Sequence, residues 1–406
     1  MNRRKVLKAV GGTLLSSFLP APWAIARTMP LRGYIRTNWS RDPLTYGAYS
    51  YVPKGVRQQE RKALEEPINN RVFFAGEAVF AKYSSTVHAA YGSGQRTAGM
   101  VKKTGAKTVA IIGAGMSGLS AAHHLAGAGF DVTVIEARDR IGGRIWTDRR
   151  LGQPLDLGAS WIHGVQDNPL TGLASKAGLK RIATDESYIT RGGDGRRIHD
   201  NEYPDWLEDV VTIQQNSGAD VDQLNMAVYD NEDGYDGAEV VFPNGYAGIF
   251  DSLKGPYAVQ LSTRVRAVSY TDKGVTLRFK NRADAVFDAV IVTLPLGALK
   301  RGTVQFTPAL PAAKRKAIQR LGMGLLDKVY LKFDRPFWDV DRTWIITPEN
   351  NLPRGQFNQW LNMYPLTGVP IILAFNGGTP ALDLAGLSDK DVVKRAMQTL
   401  AGAYPQ

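Results

Sequence analysis

A chain of 406 residues with 44% hydrophobic content can bury a large core divided between two domains, which excludes a short binding module. Its formal net charge of +12 comes from 50 Lys and Arg against 38 Asp and Glu, but the basic residues are scattered and form no arginine-rich helix or nucleic-acid motif. It contains no cysteine, so disulfides and thiolate metal sites are excluded.

Residues 1–26 read as a cleavable export signal rather than a stable membrane span. "NRRKVLK" precedes an apolar run from Val6 to Trp23 that is broken by glycine and proline, and Ala24, Ile25 and Ala26 form a small-x-small cleavage site. Arg3 and Arg4, with Leu7 and Lys8 at the expected spacing, make the signal twin-arginine-like; an ordinary secretory signal is the alternative. The twin-arginine route carries folded proteins, which suits a chain that loads a cofactor before export to the periplasm or beyond. Loss of the four basic residues in this segment lowers the charge from +12 to +8.

Next come "NWSRDPLTYGAYSYVP" (Asn38–Pro53) and "RVFFAGEAVFAKYSSTVHAAYGSG" (Arg71–Gly94). From Thr108 the text is an apolar β-branched run, the glycine turn "GAGMSG", an alanine-rich helical stretch and a second apolar run ending at Glu136: a βαβ unit. Gly113 permits the tight turn, Gly115 lets backbone approach a pyrophosphate, and Gly118 lets the helix pack closely, with Met116 and Ser117 opening that helix toward the phosphates. Glu136, 18 residues beyond Gly118, is placed to accept hydrogen bonds from ribose hydroxyls and would repel a 2′-phosphate, disfavouring NADP. Ala137 and Arg138 follow it, and Gly142, Gly143 and Arg144 form a second phosphate-facing turn. Between Asp200 and Glu239 stand twelve acids and no lysine or arginine, a reversal of sign that reads either as a patch steering polycations or as a solvated face. His88, His123, His124 and His199 show no metal-ligand spacing, so no metal site is expected, and His163 in a turn reads as structural.

With "EARDRIGGRIWT", "DLGASWIHG" (Asp156–Gly164) and "GLLDKVYLKFDRPFW" (Gly324–Trp338), the sequence resembles the flavin-containing amine oxidase family, closest to its polyamine oxidase and flavin-dependent lysine demethylase branch. The resemblance implies an α/β fold: a Rossmann-like FAD-binding domain plus an α+β substrate domain of the monoamine oxidase type. In that family "FFAGE" and the "TVH" motif lie near the carboxyl terminus and the glycine turn near the amino terminus. Here the order is reversed, and each motif occurs once. The reading is a circular permutation, with the old ends joined near "VKKTGAK" and new ends opened between Gln406 and about Met29; a tandem or truncated gene is the alternative. The expected division is the signal at 1–26, an FAD-binding domain of 44–101, 102–175 and 243–298, and a substrate domain of 27–43, 176–242 and 299–406, with 168–240 shorter than in typical relatives.

The resemblance also implies roles. Lys328 matches the lysine linked through water to flavin N5, and its apolar neighbours Leu325, Leu326, Val329, Tyr330 and Leu331 would lower its pKa. Tyr49 matches one ring of the aromatic cage, while Thr86 takes the place of the other, pointing to a secondary or tertiary amine rather than a small aromatic monoamine. Gly76 and Glu77 face the ribityl or ribose side, Val87 offers its N–H to the pyrimidine edge, Val265 contacts adenine through its backbone, and Gly158, Ala159, Ser160 and Trp161 line the cofactor. Ala48 stands where monoamine oxidases carry the flavin-linked cysteine, so FAD is expected to be non-covalent. The expected reaction is oxidation of a polyamine or other secondary amine with oxygen as acceptor, through an imine to an aldehyde with release of peroxide. An amino-acid oxidase, for which no carboxylate-binding arginine can be placed, and a non-catalytic flavoprotein are the alternatives.

Overall fold

The computed structural model describes residues 30–405 except 232 and 281. The expected export signal at 1–26 lies outside the described residues.

Five short strands make a wholly parallel sheet in the order Ala258–Gln260, Asp131–Ile135, Thr108–Ile112, Ala289–Val292, Val72–Phe74. A parallel sheet is covered on both faces, and the continuous apolar text of these strands meets that requirement. The two-residue period sends Val109, Ile111, Val132, Val134, Ile291 and Phe73 to one face, where they pack under the helices Val87–Val101 and Met116–Ala126. Ala110, Ile112, Ile135, Val290, Val292 and Phe74 face the other way. There a four-stranded sheet, ordered Ala285–Phe287, Gly274–Phe279, Val265–Thr271, Gln305–Thr307, covers them with Val265, Val268, Tyr270, Val275 and Leu277. Residues 305–321 join this layer, and Lys314 on the helix Ala312–Arg320 donates to the carbonyls of Ala63 and Leu64 at the end of the helix Glu60–Glu65.

The second large sheet has six strands in the order Gly33–Arg36, Leu326–Lys332, Ile371–Gly377, Gln359–Asn362, Trp344–Ile346, Tyr188–Thr190. All neighbours are antiparallel except the last pair. One face, carrying Val329, Leu331, Ile372 and Ala374, packs on Val392, Ala396 and Leu400 of the helix Asp389–Ala403. The other carries Tyr330, Leu373 and Phe375 against Leu155, Leu157 and Trp161. Lys328 pairs in register with Phe375 and shares the alternation of Tyr330, so the fold turns its side chain toward the loop 155–161 and the dinucleotide half.

The join between helix and glycine turn is the tightest backbone contact of the dinucleotide unit. A Cβ on Gly118 would lie 2.0 Å from the Gly113 carbonyl oxygen, and Gly113 itself has φ of +109°. Since the obstructing atoms are backbone, Gly118→Ala should lower stability by about 1–3 kcal/mol. A thermal melt of the variant checks this, and an unchanged midpoint would show that helix and turn can separate without cost.

Candidate functional site

The two glycine turns anticipated from sequence lie side by side: Gly115 and Gly142 form a parallel bridge, and the Gly142 N–H donates to the Ala114 carbonyl at 2.8 Å. The helix Met116–Ala126 starts at Gly115 without a side-chain cap, so its first N–H groups need an outside acceptor. A Cβ on Gly115 or on Gly76 would meet nothing within 4 Å, so there is open space at the first glycine turn and at the Gly76 corner. Uncapped N–H groups facing that space form an anion-binding cradle suited to a pyrophosphate.

Glu136 ends its strand where expected and is buried, but both oxygens already hold the turn: Oε2 accepts from the Ala114 N–H and Oε1 from the Arg138 N–H, each at 2.8 Å. Each oxygen keeps a lone pair for a ribose hydroxyl. The Thr263 N–H donates to the Glu136 carbonyl at 2.8 Å, bringing the start of the Val265 strand beside this corner. Ala137 lies between these bonds. Arg138 is tied to Asp42, reaching both carboxylate oxygens at 2.8 Å, so its guanidinium pins the chain instead of pointing freely at a ligand.

Arg144, half-buried, and Glu77, buried, form an ion pair at 2.8 Å, and the same Nη1 donates to the Ala48 carbonyl at 2.8 Å. Ser50 Oγ donates to the other oxygen of Glu77 at 2.6 Å and accepts from Arg61 Nη1 at 2.8 Å. Burial alone would raise the Glu77 carboxyl, but Arg144, Arg61 and the Ser50 hydroxyl hold it below the usual range. Arg61, completely buried, and Ser50 were not anticipated from sequence, because nothing in "RQQERKALEE" distinguishes an inward arginine from a solvated one.

Thr86 and Val87 open the long helix Val87–Val101. Thr86 was expected at the second place of the aromatic cage, bordering the isoalloxazine; its hydroxyl is committed to capping, accepting from the Ala89 N–H at 3.1 Å and donating to the Tyr83 carbonyl at 2.7 Å. This leaves the Val87 N–H at the helix end, where no intrahelical acceptor reaches it. The neighbouring Ser85 hydroxyl donates to the Ser50 carbonyl, which brings this corner against the Tyr49–Ser50 segment. Tyr49 is half-buried with its phenol donating to the Gln215 carbonyl, and desolvation raises its pKa, so it is a neutral anchored ring.

Lys328 is fully buried, and here the structure corrects the expected apolar surroundings. Its Nζ donates to the carbonyls of Asp156 at 2.8 Å and Gly158 at 2.6 Å, and contacts Ser160 Oγ at 2.5 Å. The turn 156–160 aims these oxygens at the sheet because Gly158 sits against the Arg144 carbonyl, with Ala159 N–H donating to the same oxygen at 3.2 Å. Burial still dominates and pushes the amine down to about 7, partly offset by Asp156. The Asp156 carboxyl is raised by burial, yet it does not touch the amine: it accepts from Thr147 Oγ1 at 2.5 Å and the Tyr246 N–H at 3.0 Å. Trp161 and Phe375 present ring faces 5.8 and 5.9 Å from Nζ, and Trp344 stacks on Trp161 with centroids 6.2 Å apart. Trp344 and Phe375 were not anticipated; the register of Phe375 opposite Lys328 is set by the sheet and has no local motif.

His163, expected to be structural, pairs with Glu239 at 2.6 Å on the exposed side of Trp161. Other members of the acidic segment are also engaged: Glu202 with Arg196, Asp209 with Arg354, and Asp220 with Gln214 and the Thr379 N–H. No helix among the described residues is long and apolar enough to cross a membrane.

Comparison with known proteins agrees with this geometry. The description "flavin containing amine oxidoreductase" matches residues 13–101, 116–235 and 226–406, and "pyridine nucleotide-disulphide oxidoreductase" matches 73–155. A probable polyamine oxidase 4 of Arabidopsis thaliana is 31% identical over 73% of this chain and 72% of its own length. A lysine-specific histone demethylase 1 homolog 1 of Oryza sativa subsp. japonica is 27% identical over 72% of this chain and 42% of that protein. Among solved structures, a redesigned putrescine oxidase superposes with a TM-score of 0.58 at 22% identity, covering 73% of this chain and 81% of that one. Cyclohexylamine oxidase from Brevibacterium oxydans gives a TM-score of 0.58 at 22% identity, covering 74% and 81%.

The Glu77 pair fixes a pH dependence. A carboxyl whose folded pKa lies below its free value of 4.5 adds stability that is complete above that pH and is lost as pH falls through the folded value. Glu77→Gln should therefore flatten the acid limb of unfolding below pH 4.5. It should also cost about 3–5 kcal/mol at neutral pH by removing the carboxylate that Arg144 is paired with. Melting curves across pH test both, and an unaltered acid limb would remove Glu77 from the linkage.

Proposed function

Since the chain belongs to the flavin-containing amine oxidoreductase family and oxidises an amine with FAD, we propose that its substrate is a polyamine or other secondary amine and that its FAD is held without a covalent bond. The observation that carries this reading is the placement of a buried, weakly basic Lys328 behind the Trp161, Trp344 and Phe375 rings, on a sheet face turned toward the glycine cradle.

When bound, FAD supplies the hydride acceptor for the carbon beside nitrogen, and oxygen is the proposed final acceptor, giving peroxide. The residues supply the rest. The Met116–Ala126 helix start and the Gly142–Arg144 turn would take the pyrophosphate, Glu136 the ribose, and the Val87 N–H the pyrimidine edge. Ala48, at the position taken by the linking cysteine in the resemblance, offers no nucleophile. The aromatic faces favour a cation on its approach, while a lysine that is neutral for much of the time does not repel it. The acids between Asp200 and Glu239 that are not tied to cations would draw a polycation inward.

We also read the chain as circularly permuted. In support, only residues 102–107 separate the end of the helix at Val101 from the strand at Thr108, so the proposed join is a short turn. Leu31 and Tyr404, close in sequence to the proposed new ends, pack against one apolar cluster. The domain division, twin-arginine export and a periplasmic or secreted location complete the reading; changing Arg3 and Arg4 together to lysine should block export, and normal export of that variant would exclude the twin-arginine route.

The reading is tested by mixing purified protein with spermidine without air and following the visible spectrum. Bleaching of the flavin, then peroxide once air is admitted, is expected, as is a loss of at least tenfold in turnover with Lys328→Met. A flavin that stays oxidised would reject the polyamine, and wild-type turnover in the variant would remove Lys328 from the chemistry.

A further inference from the structure

We propose that Ser160 is a positioning residue that lets Lys328 exchange its proton without losing a hydrogen bond, so that it sets the pH at which the amine changes charge. The proposal rests on the reading that Lys328 serves the flavin.

Lys328 Nζ has three hydrogen-bond partners among the described residues: the Asp156 and Gly158 carbonyls and Ser160 Oγ, at 2.8, 2.6 and 2.5 Å. The two carbonyls can only accept. An ammonium offers three N–H donors and satisfies all three oxygens, whereas a neutral amine has two N–H groups and one lone pair. Of the three partners only the serine hydroxyl can reverse its role. It accepts from the ammonium while turning its own hydrogen to the Asp156 or Gly158 carbonyl, at 3.2 and 3.3 Å. It then donates to the neutral amine once the proton leaves. Both states are thereby satisfied in a place where an unpaired polar group costs several times a net hydrogen bond.

The other groups around the amine cannot do this. The Asp156 carboxyl is held by Thr147 and the Tyr246 N–H, and the Tyr330 phenol donates to the Asp156 carbonyl at 2.8 Å. Burial raises the phenols of Tyr246 and Tyr330 far above neutrality, so both stay protonated. Asp327, next along the strand, is taken by Thr37 Oγ1 and the Trp39 N–H, and Arg149 lowers the Asp156 carboxyl while donating to the Asn244 carbonyl at 3.3 Å. The remaining sides are the rings of Trp161 and Phe375.

Removing the hydroxyl costs the ammonium more than the neutral amine, because a charge-assisted hydrogen bond is about twice as strong as a neutral one. Ser160→Ala should therefore move the titration of Lys328 to lower pH by about one unit, and Ser160→Thr should restore it. The measurement is the affinity of the FAD-loaded protein for sulfite, which adds to the flavin and is favoured by a nearby positive charge, read by absorbance across pH. Each value is divided by that of Lys328→Met at the same pH, which cancels the ionisation of sulfite. Wild type should show a ratio that falls as Lys328 loses its proton, Ser160→Ala the same fall at lower pH, and Ser160→Thr the wild-type curve. If the alanine variant does not fold, Ser160→Cys, with its weaker donor and acceptor, should shift the curve in the same direction. Superimposable curves for wild type and Ser160→Ala would overturn the proposal while leaving Lys328 at the flavin. A ratio independent of pH in wild type would overturn it by removing Lys328 from the flavin altogether.

Discussion

The arrangement depends on the reach of one guanidinium. Arg144 donates from Nη1 to Glu77 and to the Ala48 carbonyl, both at 2.8 Å, while its own carbonyl receives the Ala159 N–H. A Cβ on Gly158 would lie 1.8 Å from that carbonyl, so the loop 156–160 sits directly on the arginine's backbone. Three separate stretches of sequence are thus held to a single residue. The net free energy of such a partly buried pair is small, because desolvation consumes most of the Coulombic gain. Its value is geometric: the turn that would face the pyrophosphate and the loop that receives Lys328 cannot move independently.

The same contacts distribute charge unevenly. Glu77 is paired directly with Arg144 and through Ser50 with Arg61, which sets guanidinium charge beside the glycine turns. A guanidinium there complements an anionic pyrophosphate. Across the loop the opposite policy holds. Lys328 is pushed toward neutrality by burial, and the nearest carboxyl, Asp156, is turned to the Tyr246 helix start instead of to the amine. A pocket that must admit a cation gains from this, since a fixed ammonium in a low-dielectric site would oppose it strongly. Arg144 lies between the two regions and contributes its charge to one and its backbone to the other.

The parts legible in sequence were those whose chemistry is local. The glycine turns, the acid at the end of the second strand and the apolar strand runs could be read because their function is carried by spacing within about thirty residues. Lys328 and Glu77 were legible only through family resemblance, since an isolated lysine in a strand and an acid in a loop look ordinary. Arg61, Ser50, Trp344 and Phe375 were not legible because their roles are made by tertiary pairing. Arg61 meets Ser50 by folding back from a helix 11 positions further along the chain, and Phe375 meets Lys328 through sheet register. The lowered basicity of Lys328 was legible from its apolar strand neighbours, but the oxygens at its tip were not, because they come from a loop about 170 residues away.

Chain order bears on how this site is assembled more than on its final form. A Cβ on Gly94 would lie 2.3 Å from the Ser117 carbonyl, so the helices Val87–Val101 and Met116–Ala126 are in backbone contact, and here only residues 102–115 separate them. The Thr86 corner, the Glu77 clamp and the glycine turn can therefore come together with little loop-closure entropy. In the order described by the family resemblance, the same contacts would join opposite ends of the chain. The compensating cost falls on the six-stranded sheet, where Gly33–Arg36 must find Val329–Lys332 across nearly three hundred residues. The proposed permutation would exchange which half closes locally; since contact order governs folding rate more than stability, the native contacts around Arg144 would stay as they are.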